Sequence, residues 1–453
     1  MDGSTKAART GVHNRSPALD SLRALAAFAV LLTHAGDATA SDYGNTPFAA
    51  GIPARVHELF GIRFPTGIAV QQLNVGVEIF FVLSALLVYR PFLESHVRGD
   101  AHPEPIRFVW KRAWRIFPAY WVALAAIVAV FASRALNNAD QVLTNGLLTW
   151  GYDATRWFGG GVGLRQSWTL VVEVSFYAFV PLWAWAMRRL GRIFPALRVE
   201  TIGAAVLTIA GPTFMVATRG HTPWTPFRVL PPYFGAFGIG MLLACGVVAK
   251  GKRGDRPSRL DLLGRYAMQC WFAAAAIFAI TIQQVDLSSF AMLVKGSTHQ
   301  SIERTMHTVV AGLIVAPVVF GLRRASFIGR LLHWKPLALV GVWSYGFYLW
   351  HYAFIDVMHE RRFDPNSTRF FIKIVGVSTI GAIAAGAVSW YLIERPCIRL
   401  GAGRIRRPAW LHWQRPSFMT GLSLITFGAL VWRVGYVIAS IGRGPPGRCC
   451  SHS

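Results

Sequence analysis

The sequence predicts an all-α fold, a polytopic bundle of transmembrane helices with a ten-helix core and an eleventh, C-terminal helix. Composition is the first observation behind this prediction, since 53% of the 453 residues are hydrophobic and only 15% are charged, whereas soluble domains carry roughly 25% charged residues. The second observation is that the apolar residues form stretches of about 20, the length at which a helix crosses a bilayer. Most of the protein surface is therefore expected to face lipid.

The candidate spans follow one another along the whole chain. The first comes after a polar segment without a small-residue cleavage site, so it is expected to be retained as a helix. The stretch 142–151 is too short to cross and is expected to be re-entrant. Arg433 lies inside the last span, where a charge is costly. The eleven predicted spans lie near 18–36, 72–90, 113–132, 168–187, 200–218, 233–249, 266–284, 304–321, 337–357, 370–393 and 417–440.

The distribution of Lys and Arg predicts the orientation of the bundle. With the N-terminus in the cytoplasm, the connecting segments hold 28 basic residues on the inner side and 14 on the outer side. This bias agrees with the positive-inside rule. The chain then divides into a cytoplasmic N-terminal tail (1–17), a membrane-embedded domain (18–400), and a basic segment with the eleventh helix and a short tail (401–453).

The net charge of +25 would ordinarily suggest a nucleic-acid-binding protein. Here the basic residues lie in short loops between apolar stretches rather than on one soluble face. No nucleic-acid partner is therefore expected, and the surrounding partners are membrane lipids. The five cysteines show no Cys-x-x-Cys spacing and no paired histidine, a pattern that predicts neither a disulfide framework nor a metal site.

The first span contains three ionisable residues, Asp20, Arg23 and His34. Arg23 and His34 are about three helical turns apart, so both lie near one face of the helix, about 16 Å apart along its axis. Arg23 then lies near the cytoplasmic surface and His34 in the outer half of the bilayer. An arginine that snorkels and a histidine that only packs are the structural alternative. Ionisable residues inside spans, however, commonly mark functional sites.

Other spans also have ionisable residues in them or beside them. Glu78 lies in the second span, and Glu173 is a lone carboxylate in the apolar fourth span, where it must be neutral or paired. Arg112 and Arg115 share one helical face just before the third span. Such a pair suits a phosphate group at the membrane surface, although ordinary positive-inside topology would also place arginines there.

Six short segments contain these residues together with several aromatic ones. In chain order they are Asp20-Ser-Leu-Arg23-Ala-Leu-Ala with Leu-Thr-His34, Gly-Val-Glu78-Ile-Phe-Phe-Val-Leu-Ser, Arg112-Ala-Trp-Arg115-Ile-Phe-Pro-Ala-Tyr, Trp168-Thr-Leu-Val-Val-Glu173-Val-Ser-Phe-Tyr, Tyr345-Gly-Phe-Tyr-Leu-Trp-His351 and Glu394-Arg-Pro. Together, and in this order, they resemble the acyltransferase-3 family of bacterial integral-membrane O-acyltransferases, which modify envelope sugars, lipids and some secondary metabolites. The resemblance covers about residues 17–400. Three positions depart from the family pattern: Glu78 stands where Asp is usual, Ala85 replaces a Gly, and Val174 replaces a second acidic residue.

The resemblance implies that His34, which ends the family's Arg-x10-His motif, is the catalytic residue of an O-acyl transfer. An imidazole can take the proton of an acceptor hydroxyl near neutral pH. The implied donor is acyl-CoA, used as a co-substrate, with its phosphates held by Arg23, Arg112 and Arg115 at the cytoplasmic side. The implied acceptor is an envelope carbohydrate or glycolipid, and the implied location is the bacterial cytoplasmic membrane.

A carboxylate is expected to orient His34 as an anionic partner. Glu173 is assigned this catalytic role, with Glu78 as the alternative, and the sequence does not decide between them. The remaining motif residues are expected to support the site or contact substrate. They are Asp20, Trp168, Tyr345 and His351.

Two other classes of membrane protein stay open at this point. A secondary transporter would use buried His, Glu and Arg as a proton or anion pathway, but it would be expected to show inverted repeats with broken helices, and no such repeat is visible. The second class is a flippase-like or structural component of an envelope complex. A serine nucleophile is not favoured, because Gly341-Val-Trp-Ser344-Tyr-Gly346 misses the spacing of a Gly-x-Ser-x-Gly elbow.

Overall fold

The structure, a computed structural model, is almost entirely helical within the residues that it describes. These are residues 16–39, 56–59, 62–131, 139–152, 164–218, 229–254, 256–286, 296–360 and 368–403. Seven of the helices in these ranges are long and apolar enough to cross a membrane, judged by length and composition. The predicted all-α, multi-pass membrane fold is confirmed.

The helices of the described ranges are numbered here in chain order. They are α1 Pro17–Thr39, α2 Thr66–Gln72, α3 Val75–Arg98, α4 Pro105–Phe131, α5 Ala139–Gly146, α6 Trp168–Leu190, α7 Ala196–Ala217, α8 Phe234–Arg253, α9 Asp261–Arg265, α10 Ala267–Asp286, α11 Gly296–Val319, α12 Phe327–Leu332, α13 Lys335–Val342, α14 Ser344–Glu360, α15 Thr368–Ser389 and α16 Arg395–Gly401. Short 3₁₀ turns cover Trp150–Tyr152, Arg165–Ser167 and Pro231–Tyr233, and a π-helical turn, Trp390–Glu394, joins α15 to α16.

One small sheet element accompanies these helices. The strands β1 (Val56–Leu59) and β2 (Ile62–Pro65) form an antiparallel hairpin directly before α2. The sequence prediction did not include it. With four residues in each strand, the hairpin leaves the all-α character of the fold unchanged.

Three of the predicted spans are not among the seven helices that qualify by length and composition. The third corresponds to α4, a helix of 27 residues with Pro118 inside it, and the seventh to α10, whose apolar part is Ala267–Ile282. The ninth is not continuous, because the chain leaves the helix at Trp343 between α13 and α14. The eleventh predicted span, 417–440, lies outside the described residues. The short stretch after α4 forms α5 and a 3₁₀ turn, too short to cross.

Two glycines allow α1 to approach its neighbours closely. A Cβ at Gly76 of α3 would lie 2.5 Å from the carbonyl oxygen of Ala26, and a Cβ at Gly341 of α13 would overlap the carbonyl oxygen of Asp20. Small residues at helix crossings let backbones pack closely in membranes, where lipid offers no hydrophobic driving force. These contacts fix the start of α1, and with it the position of Arg23.

The outer surface of the bundle is apolar, as expected for a protein surrounded by lipid. On α7 the exposed residues Ile202, Val206 and Ile209 recur at helical spacing and form one face. On α15 the exposed Ile372 and Ile380 also form an apolar face. These faces indicate where the bundle meets the acyl chains of the membrane.

The centre of the bundle is built around α3. It packs against α8, α1 and α11, and its buried Phe81 meets Phe237 of α8 with ring centroids 4.9 Å apart. Phe237 in turn stacks on Phe176 of α6 at 3.9 Å. This aromatic packing holds α3 and α6 in a fixed relation, and the site described next lies between these two helices and α1, α4 and α14.

Candidate active site

A single pocket brings together charged side chains that are far apart in the sequence. It holds about 830 Å³ of empty space, a figure that includes its open mouth. Helix α1 contributes Arg23, α4 contributes Arg112 and Arg115, α6 contributes Glu173, and α14 contributes Tyr345. Five of the ten residues predicted for the site therefore line one cavity. Charged side chains inside membrane proteins commonly face the interior of the bundle or a cavity in it.

The arginines of the pocket are held by neighbours on their own and adjacent helices. A guanidinium nitrogen of Arg23 lies 3.4 Å from a carboxylate oxygen of Asp20, one turn earlier on α1. The guanidinium of Arg112 lies over the rings of Phe108 and Tyr177, 5.5 and 5.4 Å from their centroids. Such cation–π contacts fix a guanidinium while leaving its N–H groups available to an anion.

Glu173 is bound by two hydroxyl groups inside the pocket. The hydroxyl of Ser84 on α3 donates to its Oε1 at 3.3 Å, and the phenol of Tyr177, one turn further along α6, donates to the same oxygen. Across the pocket, the phenol of Tyr345 donates to the carbonyl oxygen of Ile116 at 2.7 Å. The Tyr345 contact ties α14 to α4 beside Arg115.

His34 forms an inter-helix hydrogen bond with another histidine. Its Nδ1 lies 2.8 Å from Nε2 of His351 on α14, and the two rings are nearly parallel, with centroids 5.1 Å apart. His351 is fully buried. Its Nδ1 lies 2.7 Å from the carbonyl oxygen of Tyr348 on the same helix. The predicted supporting residue His351 is thus the direct neighbour of the predicted catalytic residue.

The structure shows no hydrogen bond between His34 and either of the two carboxylates expected to orient it, Glu173 and Glu78. The hydrogen bonds of Glu173 run to Ser84 and Tyr177, and Glu78 pairs with Arg304. Neither carboxylate is hydrogen-bonded to His34, because one faces the arginine pocket and the other faces α11. The hydrogen-bond partner of His34 in the structure is therefore His351 rather than either carboxylate, and a catalytic contribution of Glu173 stays a prediction.

The pocket ends close to the histidine pair. Tyr348 lines the pocket and lies one helical turn before His351, with ring centroids 5.5 Å apart. Its phenol is bonded to the hydroxyl of Thr169 at 2.7 Å and to the carbonyl oxygen of Gln166 at 3.0 Å. The arginines and the histidine pair are thus connected by one cavity and one turn of α14.

Glu78 and Trp168 belong to a second cluster, away from the pocket lining. A guanidinium nitrogen of Arg304 on α11 lies 3.4 Å from Oε1 of the buried Glu78. The same guanidinium lies 4.3 Å from the ring centroid of Tyr233, whose ring packs against Trp168 at 5.5 Å. Buried carboxylates require such a partner, so the cluster explains how Glu78 is tolerated.

The sequence prediction missed four residues that these contacts single out. Ser84, Tyr177 and Tyr348 stand inside the quoted motifs but received no role, because hydroxyl groups are common in spans. Tyr177 had a local signal, since it follows Glu173 by four residues on a helix. Arg304 stood at the predicted edge of its span and was counted as a loop charge. Within the described ranges, no three His, Cys, Asp or Glu side chains are grouped to hold a metal ion.

The fold and the pocket define an all-α, multi-pass membrane protein with a polar site inside its helix bundle. Comparison with protein families gives a more specific result. The model of the acyltransferase-3 domain, described as an acyltransferase domain, matches residues 16–394. The match covers most of the chain, and the protein belongs to this family of acyltransferases.

Several curated proteins are similar to this chain. The candidate peptidoglycan O-acetyltransferase YrhL of Bacillus subtilis is 24% identical over 94% of this chain and 63% of its own length. The peptidoglycan O-acetyltransferase OatA of Listeria monocytogenes is 23% identical over 85% of this chain and 56% of its own length. The exopolysaccharide production protein ExoZ of Rhizobium meliloti is 25% identical over 73% and 90%. The chain thus spans less than two thirds of the two O-acetyltransferases. Among solved structures, none gives a significant match.

Proposed function

We propose that this protein moves a short acyl group, such as acetyl, from acyl-CoA to a hydroxyl of an envelope carbohydrate or glycolipid, with His34 as the general base. The observation that carries this proposal is the pocket itself. Three arginines line it, and it ends one helical turn from the histidine pair. A site for an anionic donor and a nearby base are two of the components that such a transfer uses.

The arginine end of the pocket suits the phosphates of the donor. Guanidinium groups bind phosphate oxygens through paired N–H donors, and Arg23, Arg112 and Arg115 provide three of them in one cavity. The charge bias of the loops supports a cytoplasmic location for this end, and acyl-CoA is made in the cytoplasm. The pantetheine arm would then extend along the cavity towards Tyr348, carrying the thioester to the level of the histidine pair.

The chemical step follows from the position of His34. Its imidazole takes the proton of the acceptor hydroxyl while the oxygen attacks the thioester carbonyl. The carbon–sulfur bond then breaks, the new ester stays with the acceptor, and the thiolate of CoA takes the proton from the imidazolium. No oxidant, metal or covalent enzyme intermediate is required, so one base and a well-positioned donor account for the reaction.

Glu173 has a place in the donor pocket in this proposal. It accepts hydrogen bonds from Ser84 and Tyr177, and the ring of Tyr177 lies under the guanidinium of Arg112. Through Tyr177, the carboxylate keeps Arg112 directed into the cavity. The carboxylate also offsets part of the positive charge of the three arginines in the pocket.

The names of similar proteins support a carbohydrate acceptor. OatA is a peptidoglycan O-acetyltransferase by name, and YrhL is a candidate peptidoglycan O-acetyltransferase. ExoZ is an exopolysaccharide production protein. A polysaccharide or lipid-linked sugar of the envelope is the acceptor class common to these names. We place the protein in the bacterial cytoplasmic membrane, with the donor inside and the acceptor presented from the outer half of the bilayer.

The test uses the purified full chain in lipid vesicles with acetyl-CoA labelled in its acetyl group and fragments of envelope polysaccharide as acceptor. The proposal predicts equal amounts of labelled ester in the carbohydrate and of free CoA thiol. Folded protein that releases no thiol with any acceptor would contradict it. Movement of an ion or lipid across the vesicle without loss of thioester would favour a transporter or flippase instead. Mass spectrometry of envelope glycans from a deletion strain would then identify the acceptor.

A further inference from the structure

We propose that His351 is a positioning residue that fixes His34 in the tautomer with its proton on Nδ1 and its lone pair on Nε2. The role in catalysis rests on the proposed function, because it assumes that His34 is the base. The tautomer itself follows from the hydrogen bonds of the pair, whatever the reaction.

The backbone of α14 determines which nitrogen of His351 holds the proton. Nδ1 of His351 lies 2.7 Å from the carbonyl oxygen of Tyr348. A carbonyl oxygen can only accept a hydrogen bond, so Nδ1 must be the donor and must carry the proton. A neutral imidazole has one N–H, and Nε2 of His351 is therefore an acceptor.

The proton position of His34 follows directly. Its Nδ1 lies 2.8 Å from the accepting Nε2 of His351. Two lone pairs at this distance would repel each other, so Nδ1 of His34 must donate. The lone pair of His34 then resides on Nε2, which is the nitrogen able to take a proton. The second ring nitrogen of a catalytic histidine is commonly fixed by such a hydrogen bond.

A doubly protonated His351 is the competing arrangement. It would donate from both nitrogens, place the proton of His34 on Nε2, and leave no basic nitrogen directed away from the pair. Burial penalises a charged group that lacks an anionic partner. His351 is completely buried, and its two ring nitrogens face a carbonyl oxygen and a second imidazole. The neutral form of His351 is therefore favoured.

The turn of α14 that carries His351 is held by two hydrogen bonds to Gln166. The side-chain amide of Gln166 donates to the carbonyl oxygen of Leu349 at 2.9 Å, and the phenol of Tyr348 donates to the carbonyl oxygen of Gln166 at 3.0 Å. The ring of Phe347 packs nearly parallel to that of His351. A positioning residue supported in this way keeps its geometry without reorganisation during the reaction.

The direct test measures the tautomer by ¹⁵N NMR of the full chain labelled at its histidines, in lipid at neutral pH. The signals of His34 are identified by their loss in His34→Gln. A protonated Nδ1 and an unprotonated Nε2 are expected for His34. A proton on Nε2 of His34, or a doubly protonated His351, would overturn the proposal. This measurement does not depend on activity, so its result stands apart from the proposed function.

A pair of variants tests the positioning role. His351→Gln keeps an oxygen that can accept from Nδ1 of His34, whereas His351→Leu keeps the bulk and removes the acceptor. We expect His351→Leu to lose kcat on the order of 10- to 100-fold, with an unchanged KM for acetyl-CoA, and His351→Gln to recover most of that loss. Equal activity of the two variants, or a loss that appears only in KM, would overturn the role. A wild-type protein with no acyl transfer would instead refute the proposed function.

Discussion

Removal of one arginine from the pocket gives a quantitative test of the proposed donor site. Arg115 is the best choice, because the guanidinium of Arg112 also packs over two aromatic rings and its loss would disturb folding as well as binding. We expect Arg115→Ala to weaken acetyl-CoA binding. A hydrogen bond to a charged group contributes about 1.5–3 kcal/mol, which corresponds to a loss of about 10- to 150-fold in affinity.

The side-chain geometry of Arg115 also predicts an intermediate variant. Lysine retains the positive charge but presents a point charge in place of the two-pronged guanidinium. Arg115→Lys is therefore expected to bind acetyl-CoA with an affinity between those of the wild type and Arg115→Ala. If charge alone mattered, the lysine variant would match the wild type, and the argument from paired N–H donors would be wrong.

The assay is a titration of acetyl-CoA into purified protein in lipid, followed by calorimetry or by competition with labelled donor. Arg330→Ala is the matched control, since Arg330 is exposed on α12 and does not line the pocket. It should leave the affinity unchanged. The thermal unfolding temperature of each variant shows that folding is preserved. An Arg115→Ala protein that folds and binds acetyl-CoA as tightly as the control would remove Arg115 from the donor site.

Two further predictions concern the packing and the orientation of the bundle. Gly341→Ala should destabilise the protein by about 1–3 kcal/mol through overpacking, which would be measured as a lower unfolding temperature. Gly376→Ala is the control and should not destabilise it, because a Cβ at Gly376 meets no atom within 4 Å. Equal unfolding temperatures of the two variants would disprove the close crossing of α1 and α13. A reporter that is active only outside the cytoplasm should score positive when fused after Gly220 and negative after Gly254, and the reverse pattern would overturn the orientation derived from the loop charges.

The helices of the bundle were largely predictable because hydropathy and span length carry a local signal. The break at Trp343 was not, since the surrounding residues Gly341 to Gly346 continue an apolar pattern without a proline. The tight crossing at Gly341 likewise depends on the backbone of Asp20, which lies far away in the sequence. Helix existence is thus encoded locally, whereas breaks and crossings depend on the neighbouring helices.

The residues of the site were predictable from their motifs, but their partners were not. The sequence suggested that Arg23, Arg112 and Arg115 belong to one end of a binding site, and the three line one cavity. The partner of His34, however, is 317 residues further along the chain, and no periodicity or spacing links two such positions. The expectation that a carboxylate orients His34 pointed to Glu173 or Glu78, although a second imidazole can accept the same hydrogen bond.

The most direct test of the proposed mechanism is the rate of acyl transfer by His34→Gln, measured beside its affinity for acetyl-CoA in the same vesicles. Glutamine keeps a hydrogen-bonding side chain but supplies no base. Since general base catalysis contributes about 10²- to 10⁴-fold, the rate should fall by that factor while donor affinity stays at the wild-type value. A His34→Gln protein that retained most of its acyl transfer at matched expression would contradict the mechanism. His34 would then be a packing residue, and His351 would become the candidate base.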